Sequence, residues 1–346
     1  MTTDSSIAET LADPRWFPLY FDGARESYHF AFIPADVHRD ITFLREFKPK
    51  PSETRVIGRS VVADAAIPDA GVASAPLHFI LHSGLGGSTL IARALAQSGV
   101  AVALQEPPVL TDIVLYASGR PPAERNALFL EVARLLARPF SPGEAVVCKL
   151  SGVGHGVAAA MASGRQDSQL LCLENPLDKL LAAFAARGAS GRMAGRQLAI
   201  GLRNSRLFPF EMSDAQLLDC TDFQMAALGW LSIEKMMIDA AQALGPERVA
   251  SATSDQLMRD TAATVSAIAS HFRLQLDVDA AVENGIFSRH AKSGEAFDAG
   301  RRAEQLAEAL RIHAREIEQV IGWARGVAEK NRIPWELPYP LIDRAA

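Results

Sequence analysis

From residue 77 onward the chain alternates short, wholly apolar runs with longer stretches in which apolar residues recur at helical spacing. Runs at 79–81, 100–104, 145–149, 169–173 and 248–252 carry little polar alternation, as expected of parallel strands covered on both faces. The segments between them predict helices over 88–97, up to about 137, over 154–163 and over 177–187. The 213–244 stretch reads as mostly helical, 260–272 as helical, and 301–329 as a final amphipathic helix before the Pro-rich tail IPWELPYP. Alternation of this kind predicts an α/β fold: a mainly parallel sheet with helices on both faces and a helical C-terminal region.

Residues 1–75 follow a different pattern. SYHFAFI and ITFLREF read as strands of a hairpin or small sheet, and FKPKPSET as a turn or linker. The expectation is a small β-rich N-terminal extension, 1–75, packed on a main domain, 76–346, with no internal repeat in either.

The stretch richest in chemistry is LHFILHSGLGGSTLIARALAQSGVAVALQEP, where an apolar run ends in a Gly/Ser/Thr-rich turn that opens a helix. Gly84, Gly86 and Gly87 permit conformations and close approaches that a side chain would block. The helix beginning near Ser88 points its unpaired N–H groups back at the turn, and Ser88 and Thr89 add hydroxyls, so an anion fits there. The turn is not a Walker A loop: Ser88 stands where that loop has its Lys, which disfavours a nucleotide triphosphatase. Packing alone also accounts for Gly-rich strand-to-helix turns, and phosphate binding is favoured over it.

Two further residues sit at strand ends. Glu106, 17 residues beyond Thr89, and Lys149 both close apolar runs, and ligands of open α/β sheets bind outside the carboxyl ends of the strands. Glu106 is open to being a proton acceptor, an exposed loop acid or a structural acid paired with Lys149 or Arg93. Lys149 reads as the cation that the turn itself lacks, against the alternative of a Lys snorkelling from a strand end. His155, in SGVGHG, is the competing base, although a lone His there is more often a loop or capping residue.

HSGLGGSTLIARAL followed by GVAVALQEP resembles the 5′-phosphosulfate loop, first helix and second strand of bacterial sulfotransferase-like proteins. AVVCKLSG, LLCLENPLDKLLAAFAARG and GIFSRHAKSGEAFDAGRR follow in the expected order, so the resemblance spans residues 77 to about 302. It implies a three-layer P-loop-like fold and transfer of a sulfuryl group from 3′-phosphoadenosine 5′-phosphosulfate to a hydroxyl or amine acceptor. It also implies that Ser83, Gly84, Leu85, Gly86, Gly87, Ser88 and Thr89 hold the 5′-phosphosulfate, that Glu106 is the general base and that Lys149 polarises the donor. No metal is required by that scheme, and the acceptor is a small molecule or a peptide.

The resemblance breaks at ENPLDKLLAAF. The family reads R-x-P-x-D there with a Ser eight residues after the Arg, and Arg and Ser bind the 3′-phosphate; here Glu174 and Ala182 stand in their places. A carboxylate repels a phosphate, so the role does not transfer. Asn175 remains as a donor contact, and Arg187, Arg192, Arg289 and Lys292 are the candidate replacement cations for the 3′-phosphate. Two rivals stay open: a divergent P-loop kinase, which would need Mg²⁺, and a non-catalytic protein that binds an adenosine nucleotide.

Composition narrows the classes further. The 346 residues are 49% hydrophobic and 22% charged with a net charge of −5, which suits an enzyme with a full core and gives no electrostatic case for nucleic-acid binding. Five Arg fall within 187–206, on a stretch that reads as an amphipathic helix and that also shapes the expected acceptor site. Cys148, Cys172 and Cys220 read as small buried thiols of a reducing compartment, with no metal-ligand spacing among them. The N-terminus lacks a basic region followed by an apolar core, and no run is long enough to span a bilayer, so the expectation is a cytoplasmic protein without membrane contact, compatible with a homo-oligomer.

Overall fold

The computed structural model describes residues 4–65, 75–283 and 299–342. The larger of its two sheets has five parallel strands: β4 (Leu77–His82), β5 (Ala101–Gln105), β6 (Ala145–Lys149), β7 (Leu170–Glu174) and β8 (Val249–Thr253). Their order is β5-β6-β4-β7-β8, with Ile80 in register with Lys149 on one side and Leu171 on the other. The chain leaves β4 toward one edge and later crosses to the other side. The carboxyl end of β4 is therefore a switch point, the place where open α/β sheets leave a crevice.

Both faces of the sheet are covered, which explains the uniformly apolar strands. Ile80, Ala103, Val147 and Leu173 pack under the helices Ser88–Leu95 and Thr261–His271. Phe79, Leu81, Leu104 and Cys148 pack under Pro108–Ala117, Leu177–Ala186 and Asp222–Leu244. The last of these starts on a capping box, Thr221 with Gln224, and stops at Gly245, whose φ is 78°. The three-layer α/β architecture with a helical C-terminal region is thus the expected one. Cys148, Cys172 and Cys220 are buried and unpaired by disulfide. Tyr339 of the Pro-rich tail and Leu341 just after it hydrogen-bond the backbone of Ser251 on β8.

The smaller sheet is antiparallel, in the order β1-β2-β3: β1 (Trp16–Asp22), β2 (Ser27–Phe32) and β3 (Thr54–Gly58). It corrects the sequence reading in two places. ITFLREF is not a strand: its backbone takes a single 3-10 turn, Leu44–Glu46, and Phe43 and Leu44 are buried as plugs. Its apolar content is spent on contacts with the main domain, where no strand partner is needed. Part of FKPKPSET is not a linker, because Thr54 opens β3. The unexpected β1 is an edge strand that tolerates Pro18 through a register shift between Pro18 and Tyr20.

Candidate active site

The Gly-rich turn lies at the switch point. Gly84, Leu85 and Gly87 all have positive φ, at 103°, 57° and 92°. Leu85 is the telling one, since a left-handed Leu costs on the order of 1 kcal/mol and persists only where its surroundings enforce it. Gly87 caps the Ser88–Leu95 helix, and its carbonyl accepts the N–H groups of Leu90 and Ile91. The N–H groups of Ser88 and Thr89 are therefore first-turn donors directed into the turn. Ser83, Gly84, Leu85, Gly86, Gly87, Ser88 and Thr89 form one continuous segment from the end of β4 into the first turn of the helix.

One flank of this turn is braced by Asn175. Its N–H donates to Ser83 Oγ at 2.7 Å, its carbonyl accepts Trp230 Nε1 at 3.0 Å, and its Oδ1 accepts the Ser254 hydroxyl at 2.9 Å. A Cβ at Gly86 would lie 3.1 Å from Asn175 Cβ and 3.4 Å from Ser254 Cβ, so a larger residue would press the turn away from its brace. Behind Ser83 stands Glu234, 2% exposed, with its Oε1 unpartnered in the protein. Burial, and next the Glu174 carboxylate, push the Glu234 carboxyl well above the usual range, while a hydrogen bond to Ser83 pulls the other way. Glu174 thus stands beside a second buried acid, Glu234, which its raised pKa holds in the protonated, neutral form.

The other flank carries opposite charges. Lys149 Nζ lies 2.6 Å from Glu106 Oε1 and 3.2 Å from Thr89 Oγ1, which joins the two strand-end residues to the first turn of the loop helix. The Lys149 side chain is 1% exposed and that of Glu106 9%. Glu106 has a φ of 53°, a second left-handed residue at the site, and its N–H donates to the Lys149 carbonyl at 2.9 Å. Its remaining oxygen, Oε2, faces Arg45 at 3.3 Å. Phe43 is in reach of both cations, its ring centre 5.0 Å from Lys149 Nζ and 4.9 Å from the Arg45 guanidinium carbon. Arg93 does not pair with Glu106 and instead anchors the extension, donating to Thr42 Oγ1 at 2.9 Å.

His155 does not compete as a base. Its Nε2 accepts the His82 N–H at 2.9 Å, so the proton is on Nδ1, which meets the Gly152 carbonyl at 2.8 Å. Burial lowers its pKa to about 4, and the neutral ring acts as a brace between β4 and the turn after β6.

No family model and no curated protein matches this chain. Among solved structures it is similar to a sulfotransferase domain from the curacin biosynthetic pathway. The two are 13% identical with a TM-score of 0.39, over 59% of this chain and 75% of that one. So distant a likeness assigns no role to any residue, and the chemistry must be argued from the site itself.

Of the residues singled out in the sequence, the loop, Glu106, Lys149 and Asn175 are brought together, whereas Arg289 and Lys292 lie outside the described residues. Four participants were missed. Arg45 and Phe43 come from the extension, whose sequence gave no motif. Gln105 and Ser254 share a signal that was available, since they are polar residues at the carboxyl ends of β5 and β8 like Ser83, Lys149 and Glu174 at the ends of their strands. Gln105 is in register with Lys149 and 3% exposed, and its Oε1 has no partner in the protein. Arg192 and Arg196, from the expected acceptor region, pair with Asp222 in the wall of a separate cavity of about 430 Å³. Among the described residues no three His, Cys, Asp or Glu side chains gather as metal ligands, and no helix is long and apolar enough to cross a membrane.

The arrangement can hold an anion on backbone N–H groups and the Thr89 hydroxyl, supply a cation beside it, and place a carboxylate next to that cation. That combination suits transfer of a negatively charged group to a nucleophile that must lose a proton.

Proposed function

We propose that this protein is a sulfotransferase-like enzyme that moves a sulfuryl group from 3′-phosphoadenosine 5′-phosphosulfate to a hydroxyl or amine of a small molecule or peptide. The observation that carries the reading is the chain Thr89–Lys149–Glu106, which ties the anion-binding turn to a base through one buried ammonium. The order of motifs from residue 77 to about 302 supports the same reading.

In the proposed reaction the turn and Thr89 hold the phosphosulfate. The acceptor oxygen or nitrogen attacks sulfur in line as the bond from sulfur to the bridging oxygen breaks. Glu106 takes the proton that the acceptor loses, and adenosine 3′,5′-bisphosphate leaves. Lys149 stabilises the charge that builds on the bridging and sulfuryl oxygens, the larger share of the work in transfers of this kind. Glu174 stands where the resemblance expects an arginine, so in this reading the 3′-phosphate is met by other cations.

The test is calorimetric titration with adenosine 3′,5′-bisphosphate and, separately, with ATP and Mg²⁺. The account expects the bisphosphate to bind more tightly and Thr89→Ala to weaken it about ten-fold, the worth of one charge-assisted hydrogen bond. Binding of Mg²⁺-ATP with no binding of the bisphosphate would replace this reading with the kinase.

A further inference from the structure

The charges on the Glu106 flank present a problem that the sheet alone does not solve. Lys149 is the cation beside Thr89, yet it is already committed to Glu106 at 2.6 Å. If the ammonium turns to an anion in the loop, it leaves behind a carboxylate that is only 9% exposed. An inward-facing charge stripped of its partner is costly enough to oppose anion binding. A second cation on the same carboxylate removes that cost, and the structure has one. Arg45 faces Glu106 Oε2, the oxygen that Lys149 does not use.

We propose that Arg45 is a positioning residue for anion binding: it takes over the charge of Glu106 and so releases Lys149 to the anion held by the 84–89 turn. The N-terminal extension is thereby a working part of the site.

Its construction fits that task. The segment is fastened at its base, where Arg93 donates to Thr42 Oγ1 at 2.9 Å and to the Asp40 carbonyl at 3.4 Å, and Phe43 is buried. The tip is looser, for the Arg45 side chain is 55% exposed and its 3.3 Å approach to Glu106 is longer than the Lys149 contact. It can tighten on the carboxylate when Lys149 withdraws. Phe43 offers its ring to both cations. Beside Lys149 the unpartnered Gln105 Oε1 gives the ammonium or an incoming donor a place to bond.

This inference rests on the anion-binding half of the function proposed above and not on the adenosine half, and the experiment keeps the two apart. Inorganic pyrophosphate, a minimal double anion, is titrated calorimetrically into the wild-type protein, Arg45→Gln, Glu106→Gln and the double variant. Arg45→Gln is expected to bind about ten-fold more weakly, because Lys149 is then held back by an uncompensated Glu106. Glu106→Gln is expected to bind at least as tightly as wild type. In that background Arg45→Gln is expected to change affinity by less than about two-fold, since the charge it served is gone. Arg45→Lys, which keeps the charge, is expected to recover most of the loss, and an unchanged melting temperature for Arg45→Gln shows that the fold is intact.

An unchanged affinity in Arg45→Gln overturns the inference. So does an equal loss in both backgrounds, which would mean that Arg45 meets the anion directly. If the wild-type protein does not bind pyrophosphate, the inference and the proposed function fall together. If the cycle behaves as expected but adenosine 3′,5′-bisphosphate binds no better than pyrophosphate, Arg45 keeps its role and the nucleotide reading alone fails.

Discussion

The two flanks of the Gly-rich turn are built from the same kind of material, polar residues at the ends of parallel strands, and yet behave as opposites. On the β7 and β8 side, Asn175 spends its backbone and side chain on Ser83, Trp230 and Ser254, and two acids lie behind it with little access to water. On the β5 and β6 side, one carboxylate is shared between two cations, one of them half in solvent. The first flank holds the turn in one shape. The second can exchange partners at little cost, because its charges stay paired in either arrangement. The difference teaches where to look for chemistry: strand-end residues whose hydrogen bonds are all used inside the protein are braces, and those with a spare or shared partner are the reactive ones.

The comparison predicts unequal sensitivity to mutation. The largest effect belongs to the exchanging flank. Glu106→Gln should lower turnover by about 10² to 10⁴ while leaving affinity for adenosine 3′,5′-bisphosphate close to wild type, as expected for a base that acts only in the transition state. Unchanged turnover would remove Glu106 from that role.

On the bracing side the losses should appear as stability. Gly87→Ala combines a positive φ with a Cβ only 2.6 Å from Leu257 Cδ2, and should cost about 2–3 kcal/mol in denaturant unfolding. Ser254→Ala leaves Asn175 Oδ1 without its donor and should cost about 1 kcal/mol, with a matching small loss of anion affinity as the turn loosens. If Ser254→Ala were to abolish turnover without weakening the fold, that residue would belong to the reactive flank.

The remaining effects are pH slopes of opposite sign. His155 is held neutral, its pKa lowered from 6.5 to about 4, so the unfolded chain binds its proton first. Stability should fall as pH drops from 6.5 toward 4, and His155→Gln should flatten that slope. Glu234 is raised above its ordinary 4.5, so the folded state binds the extra proton. Its contribution is complete below pH 4.5 and is lost as pH rises toward its folded value, and Glu234→Gln should abolish that decline. Unfolding by urea across this range measures both.

Much of this was legible in the sequence, for physical reasons that also mark the limits. The five parallel strands could be read because burial on both faces leaves apolar runs with little alternation. Glu106 and Lys149 could be paired because strand ends converge on one crevice. Arg45 could not, since nothing local in FLREF distinguishes an arginine aimed at a buried acid 61 positions later from one in solvent. ITFLREF misled for a related reason: Phe43 and Leu44 look like half of a strand, but what they satisfy is a tertiary contact. Glu174 was visible as a departure from the sulfotransferase pattern. Its neighbour Glu234, on a helix 60 positions away, was not, so the second buried acid of that flank emerged only in three dimensions.

The central claim is that the turn binds an anion and that Lys149 turns to meet it. A crystal structure of the protein with adenosine 3′,5′-bisphosphate tests it most directly. The account predicts the 5′-phosphate on the N–H groups of the 84–89 turn, within hydrogen-bond distance of Thr89 Oγ1 and Lys149 Nζ, with Arg45 closed onto Glu106. A 5′-phosphate bound elsewhere, or in the turn with Lys149 still on Glu106 and Arg45 unmoved, would contradict it.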